Sequence, residues 1–226
     1  MSESRNVLLL VGSPRGKNSS SLSLGKYLID QFDEANWSSE TVYVIQYMNR
    51  EEKKEEFLTK VNHADLIILA FPLYVDSLHS FVIKAMEFIS LNRKNDQDTK
   101  SPGFIAIGNC GFPESKQIET ALKICRIFAQ KVGFTWKGGL ALGGGEAIQG
   151  RPLEERGGLV RNVMRALEIT ADSLSHGNDI PQEAKDLMSK PLMPITMYKM
   201  AGNLGWRLSS KDKNNKLKYQ YYLHEK

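Results

Sequence analysis

Four serines and an arginine lie close together near the amino terminus, in the segment GSPRGKNSSS that spans residues 12–21. A hydroxyl-rich segment with a fixed positive charge, leading into a helix whose first backbone amides are unpaired, is suited to bind phosphate. The alternative is a serine-rich turn before a capped helix, although one serine is enough for a cap. The segment therefore predicts a phosphate site. The predicted contacts are Ser13, Arg15, Asn18, Ser19, Ser20 and Ser21.

Two common phosphate-binding motifs do not fit the sequence. A Walker A loop has four residues between its first glycine and a Gly-Lys pair that Ser or Thr follows. Here three residues separate Gly12 from Gly16, and Asn18 follows Lys17. A dinucleotide-binding G-x-G-x-x-G loop would need glycine at the position that Ile148 occupies in GGGEAI. The predicted phosphate site therefore belongs to neither class.

Two further segments, PLYVDS at residues 72–77 and NCGFPE at residues 109–114, carry groups that could hold a flat ring. Pro72 stiffens the chain, Tyr74 offers an aromatic face, and Gly111 lets the backbone approach a ligand. Each segment could equally be an ordinary turn between a strand and a helix. The predicted ring contacts are Pro72, Leu73, Tyr74, Val75, Asp76, Ser77, Asn109, Cys110, Gly111 and Phe112.

A glycine-rich segment, GGGEAIQG, spans residues 143–150 and looks like the most flexible stretch of the chain. Adjacent glycines can allow a ligand to approach the backbone, or they can form a mobile cover over a site. A plain solvent-exposed loop is the third possibility. We include Gly144 among the candidate contacts.

Short apolar runs alternate with amphipathic segments, which is typical of a parallel sheet covered by helices on both faces. The predicted strands are residues 7–11, 42–45, 66–71, 104–107 and 140–142. Apolar residues at helical spacing predict four of the helices, and the charged segment EEKKEEFLTKV at residues 51–61 predicts the other. This alternation predicts an α/β fold, a doubly wound five-stranded parallel sheet in the order 2-1-3-4-5. Ligands of such sheets bind at the carboxyl ends of the strands, where the three segments above are placed.

The predicted domain spans residues 1–178, and residues 179–226 form a C-terminal extension that packs on the core or on a second subunit. Residues 195–208 predict a short helix. The alternation of Leu217, Tyr219, Tyr221 and Leu223 with polar residues predicts an extended strand with one buried face.

The chain has two cysteines, 30 basic and 26 acidic residues. Two cysteines and no signal-peptide pattern predict a cytoplasmic protein, and no apolar run predicts a membrane span. Six basic and two acidic residues fall in 207–226, so residues 1–206 carry 24 of each and are neutral. A basic tail on a neutral body argues against nucleic-acid binding. The four histidines lack metal-ligand spacing, so no metal site is predicted.

The GSPR…NSSS, PLYVDSL and NCGFPE segments resemble those of the flavodoxin-like NAD(P)H-dependent FMN reductases. The resemblance implies FMN as the cofactor, with its phosphate held by the serine-rich segment and its ring by the other two. It further implies that NAD(P)H is the transient electron donor and that a small molecule is the acceptor. A second subunit that closes the flavin site in a homodimer is also implied. No catalytic side chain is required, and we expect Cys110 to line the site and not to act as a redox thiol.

Two other functions stay open at this point. The first is an FMN-binding electron carrier without NAD(P)H activity of its own, although such carriers usually present an acidic surface. The second is an enzyme of the same fold that binds a different phosphate without a flavin.

Overall fold

The structure, a computed structural model, describes residues 4–93 and 100–193. Its strands are β1 (Arg5–Val11), β2 (Trp37–Tyr43), β3 (Leu66–Tyr74), β4 (Ser77–Leu78), β5 (Gly103–Asn109) and β6 (Thr135–Leu142). Five of them are parallel in the order β2-β1-β3-β5-β6, and the short β4 pairs antiparallel with the end of β3. This is the predicted flavodoxin-like order, with one extra hairpin strand.

Seven α-helices connect or follow the strands within the described residues. They are α1 (Ser20–Ile29), α2 (Val44–Met48), α3 (Lys54–His63), α4 (Ser80–Asn92), α5 (Glu119–Lys131), α6 (Arg161–Ser175) and α7 (Gln182–Ser189). Alternate β1 side chains face opposite sides of the sheet. Leu9 therefore packs with α1, α6 and α7, whereas Leu8 packs with α2 to α5. Both faces of the sheet are covered.

The apolar spacing predicted the buried side of four helices. Every residue of those stripes is buried except Leu122, which is half-buried and packs against the core. The members of the stripes are Leu24, Tyr27, Leu28 and Phe32; Val82, Ala85, Met86 and Ile89; Ile118, Ala121, Leu122, Cys125, Ala129 and Val132; and Val160, Val163, Leu167, Ala171 and Leu174.

The predicted second strand at residues 42–45 was placed too late. The strand is Trp37–Tyr43, and Val44–Met48 is helical. This strand lies at the edge of the sheet and pairs with β1, so polar residues such as Ser38 and Ser39 remain exposed along it. An edge strand needs few apolar residues. The prediction followed the apolar run VYVI at residues 42–45, which overlaps only the end of the strand.

Two other elements differ in extent from their predictions. The last strand begins at Thr135 and not at residue 140; Gly138, with φ +127°, lies just after a register shift against β5. In the charged segment at 51–61, Glu51–Lys53 forms a 3₁₀ turn and α3 begins at Lys54.

The first part of the predicted C-terminal extension packs on the sheet. The Ile180 amide donates to the Lys137 carbonyl at 2.7 Å, and Ile180, Ala184 and Met188 are buried in the core. The compact unit that contains the sheet therefore runs to Leu192, beyond the predicted division after residue 178. The predicted helix at 195–208 and strand at 217–223 lie outside the described residues. In the part that is described, no helix is both long and apolar enough to cross a membrane.

Candidate functional site

A cleft opens at the carboxyl ends of β1, β3 and β5, where the strand order reverses between β1 and β3. This is the place where doubly wound sheets bind their ligands. The cleft is lined by Ser13, Arg15, Ser19, Ser20, Ser21, Pro72, Leu73, Tyr74, Asn109, Cys110, Gly111, Glu146 and Gln149. All three predicted segments contribute to it.

The serine-rich segment ends in the cap of helix α1. The Ser19 hydroxyl accepts a hydrogen bond from the Leu22 amide at 3.2 Å and donates one to the Gly16 carbonyl at 2.7 Å. Because the first amides of a helix lack intrahelical partners, those of Ser20 and Ser21 are available to a ligand at this end of the cleft. The helix therefore starts at the point where a phosphate was predicted.

The other serine hydroxyls differ in what they can offer a phosphate. Ser20 donates to the Gly145 carbonyl at 2.8 Å, so its proton is used within the protein. Ser13 accepts from the Arg15 amide at 3.3 Å, and Ser21 accepts from the Asn109 side chain at 3.0 Å. In these bonds Ser13 and Ser21 are acceptors and keep a proton to donate. Of the four predicted serine contacts, Ser13 and Ser21 are therefore the two whose hydroxyl protons these bonds leave for a phosphate. The hydroxyls of Ser19 and Ser20 donate to backbone carbonyls.

Asn109 forms the floor of the cleft. It is buried at the end of β5, and its side-chain amide donates to the Ser21 hydroxyl and to the Phe71 carbonyl, both at 3.0 Å. One residue thereby fixes α1 and β3 relative to β5.

The β3–β4 hairpin forms one wall of the cleft. Tyr74 is 40% exposed, and its ring lies 5.2 Å from that of His79 in an edge-on arrangement. His79 caps α4 by accepting a hydrogen bond from the Phe81 amide at 3.3 Å. The tip of the hairpin is Val75–Asp76, with φ values of +46° and +61°.

The glycine-rich segment is packed and is not the flexible loop that its composition indicated. Gly143, Gly144 and Gly145 are buried. A Cβ on Gly143 would lie 2.2 Å from the Pro113 carbonyl oxygen, and a Cβ on Gly145 would lie 2.9 Å from the Asn109 side chain. These glycines let the segment pack against the loop after β5. The backbone of these glycines therefore comes close to another part of the protein, and the glycines are explained without a ligand.

Cys110 is buried and belongs to the lining of the cleft. Burial raises its pKa above the usual range, against the smaller effects of backbone hydrogen bonds that lower it. Its thiol donates to the Phe112 carbonyl at 3.4 Å. Cys125 is buried in the core, as its place on the helical stripe predicted, and burial raises its pKa to about 12.

Two polar residues of the cleft were missed by the sequence analysis, Glu146 and Gln149. Both lie in the glycine-rich segment: Glu146 directly follows Gly145, and Gln149 precedes Gly150. A carboxylate oxygen of Glu146 is 3.9 Å from a guanidinium nitrogen of Arg15. The polar side chains of that segment were the available signal, but only its glycines were considered.

Eleven predicted contacts line the cleft and six do not. Asn18 is exposed in the 3₁₀ turn Gly16–Asn18. Val75 and Asp76 form the hairpin tip, and Ser77 begins β4, where it pairs with Tyr74. Phe112 is exposed, and Gly144 is buried with its amide bonded to the Phe112 carbonyl at 2.6 Å.

The fold is shared with several solved flavin-related proteins. No family model matches the chain, and no curated protein matches its sequence. RosB with a bound formylriboflavin phosphate intermediate superimposes with a TM-score of 0.58 and 16% identity, over 92% of this chain and 89% of RosB. An FMN-dependent NADH-azoreductase from Bacillus anthracis, in complex with FMN, superimposes with a TM-score of 0.55 and 14% identity. The match covers 76% of this chain and 99% of the azoreductase.

An NAD(P)H:quinone oxidoreductase from Methanothermobacter marburgensis gives a TM-score of 0.54 at 14% identity, over 73% of this chain and 95% of that one. At such identities the likeness concerns the fold. The chain has a flavodoxin-like fold.

Proposed function

We propose that the protein is an FMN-dependent oxidoreductase that passes electrons from NADH or NADPH to a small acceptor such as a quinone, a free flavin, a nitro or azo compound, or a metal ion. The observation that carries the proposal is that two kinds of group line one cleft. Arg15 and the start of α1 are suited to a phosphate, and Tyr74 and the Gly111 turn are suited to a flat ring. A molecule that contains both a phosphate and a flat ring fits this lining.

The residues of the cleft suit the two parts of FMN. Arg15, the Ser13 and Ser21 hydroxyls and the first amides of α1 would hold the phosphate. Tyr74, Pro72 and the exposed backbone of Gly111 would border the ring. The solved structures of this fold include one described as FMN-dependent and in complex with FMN.

The chemistry then belongs to the cofactor, and the protein supplies binding and orientation. FMN, when bound, would supply the chemistry of hydride and electron transfer between the nicotinamide and the acceptor. The raised pKa of Cys110 keeps its thiol neutral near pH 7, so we assign it to the lining of the site. We propose cofactor contacts and no catalytic side chain.

An electron carrier without its own NAD(P)H activity is the alternative. Carriers of this fold are guided to protein partners by a surface field of one sign. Residues 1–206 carry 24 basic and 24 acidic residues, and the excess positive charge is in the last twenty. The neutral body favours an enzyme that acts on small molecules.

One anaerobic experiment separates the candidates. The purified full-length protein is mixed with FMN, freed of unbound ligand and examined for flavin bands near about 370 and 450 nm. NADH or NADPH is then added. We expect bound flavin and rapid loss of the longer-wavelength band; bound flavin that neither nucleotide bleaches would indicate the carrier, and no bound flavin would contradict the proposal.

We also propose that the protein is a cytoplasmic homodimer. The alternation of Leu217, Tyr219, Tyr221 and Leu223 gives the tail one apolar side, which a second subunit could cover. Removal of residues 210–226 tests this proposal. We expect the molar mass in solution to fall from that of a dimer to that of a monomer; a truncated chain that stays dimeric would exclude the tail as the contact.

A further inference from the structure

Glu146 places a negative charge on the lining of the cleft that is proposed to bind a phosphate. Its side chain is 70% exposed, and one carboxylate oxygen lies 3.9 Å from the Arg15 guanidinium. The Glu146 side chain also lies near Gly111, where a Cβ would come within 3.8 Å of the Glu146 Cγ. The carboxylate is therefore close both to Arg15 and to the Gly111 turn.

The backbone around Glu146 is fixed at several points. The Gly145 amide donates to the Cys110 carbonyl at 2.8 Å, and the Gly145 carbonyl accepts from the Ser20 hydroxyl at 2.8 Å. On the other side, the Arg156 guanidinium donates to the Ala147 carbonyl at 2.6 Å. Movement of the loop away from the cleft would break these bonds, so they favour a position of Glu146 at the cleft.

Among the described residues that line the cleft, Arg15 is the one basic side chain and Glu146 the one acidic side chain. Their charges cancel. A phosphate group carries between one and two negative charges at neutral pH. It must share Arg15 with a carboxylate that repels it, whereas a neutral flavin ring meets no such penalty.

We propose that Glu146 weakens the binding of the flavin phosphate and so lowers the preference of this cleft for FMN over a flavin without a phosphate. This inference rests on the proposed function, because it assumes that the cleft binds FMN. Glu146 is a specificity-determining residue in this account. It sets how much more tightly the cleft binds FMN than a flavin that lacks the phosphate.

Binding of two flavins to the full-length protein tests the inference. Dissociation constants are measured by quenching of flavin fluorescence for FMN and for riboflavin, which lacks the phosphate. We expect Glu146→Gln to tighten FMN binding by about threefold to tenfold, the range for a partly exposed charge acting on a charge near two. Riboflavin binding should change by less than about twofold, because it offers no charge to repel.

Glu183→Gln is the matched control, since Glu183 is exposed on α7 and lies outside the cleft lining. It removes the same charge and should leave both constants unchanged. At high salt, the difference in FMN dissociation constant between the wild-type and Glu146→Gln proteins should be smaller, because salt screens exposed charges.

Three results would overturn the inference: an unchanged FMN constant in Glu146→Gln, an equal gain for riboflavin, or an equal gain in Glu183→Gln. The failure of the proposed function would look different. If the wild-type protein bound neither FMN nor riboflavin, the flavin site itself would be wrong, and the inference would fall with it.

Discussion

The Ser20 hydroxyl donates a hydrogen bond of 2.8 Å to the Gly145 carbonyl, although the two residues are 125 positions apart. This bond joins the serine-rich segment after β1 to the glycine-rich segment after β6. Asn109 reaches the same helix start through Ser21. The loops after β1, β5 and β6 therefore form one connected structure, and a cofactor bound there would meet a pre-arranged site.

A negative charge at Ser19 should abolish FMN retention. Ser19→Asp keeps a side-chain acceptor for the helix cap but loses the hydrogen bond that the Ser19 hydroxyl donates to the Gly16 carbonyl, so circular dichroism first checks that the variant folds. Two unit charges 4 Å apart near a protein surface interact by about 4 kcal/mol, and we expect FMN to bind about a hundredfold more weakly or worse. Titration with FMN measures the effect.

Ser19→Asn is the matched control for that substitution, because asparagine caps a helix as well as aspartate does and carries no charge. We expect it to bind FMN nearly as tightly as the wild-type protein. If the aspartate and asparagine variants bound FMN equally, the serine-rich segment would not hold the phosphate.

Tyr74 should contribute to binding through its ring. Tyr74→Ala removes an aromatic side chain from the cleft wall, and we expect FMN affinity to fall by about 1–2 kcal/mol. Tyr74→Phe keeps the ring and its edge-on contact with His79, so its affinity should stay close to wild type. An unchanged dissociation constant in Tyr74→Ala would place the flavin ring elsewhere.

Val75 holds a strained backbone at the tip of the β3–β4 hairpin. It is 97% exposed and has a φ of +46°, a conformation that β-branched residues rarely adopt. Asparagine tolerates this conformation, so Val75→Asn should raise the free energy of unfolding by about 1 kcal/mol. Urea unfolding measures the change.

Asp76→Asn is the comparison for that substitution. Asp76 also has a positive φ, +61°, but aspartate and asparagine both tolerate it. We expect a change within about 0.5 kcal/mol. If Val75→Asn raised the free energy of unfolding no more than Asp76→Asn does, the backbone at Val75 would not be strained.

Cys110 should be dispensable for turnover. Its raised pKa keeps the thiol protonated as the pH rises through the ordinary range of a thiol, about 8.5. Cys110→Ser preserves a hydroxyl donor toward the Phe112 carbonyl, and we expect NAD(P)H oxidation within about twofold of wild type. The pH profiles of the two proteins should coincide between about pH 6 and 9. A loss of activity in the serine variant would instead indicate a redox thiol.

The central strands and helices could be predicted because their apolar residues are continuous or regularly spaced. Residues 7–11 and 66–71 lie between two layers of helices and read as unbroken apolar runs. The edge strand Trp37–Tyr43 has one open side and needs fewer apolar residues. The start of the last strand was missed because Lys137, Gly138 and Gly139 carry no strand signal.

The candidate site could be located from the sequence at the level of loops, because parallel strands bring their carboxyl ends to one edge. Individual contacts were harder to predict. Glu146 enters the cleft because Gly143 and Gly145 allow its loop to pack against the loop after β5. That packing joins parts of the chain far apart in sequence, and local composition does not encode it. Because local composition does not show this packing, the same glycines were interpreted as a sign of a flexible loop.

The most direct test of the account is the rate of NAD(P)H oxidation by the full-length protein with a quinone as acceptor, with and without added FMN. Ser19→Asp and Ser19→Asn serve as paired variants. The account predicts oxidation that requires FMN, exceeds the rate of free FMN alone, and is lost in the aspartate variant but retained in the asparagine variant. Oxidation that is independent of FMN, or none at all in the FMN-loaded wild-type protein, would contradict it.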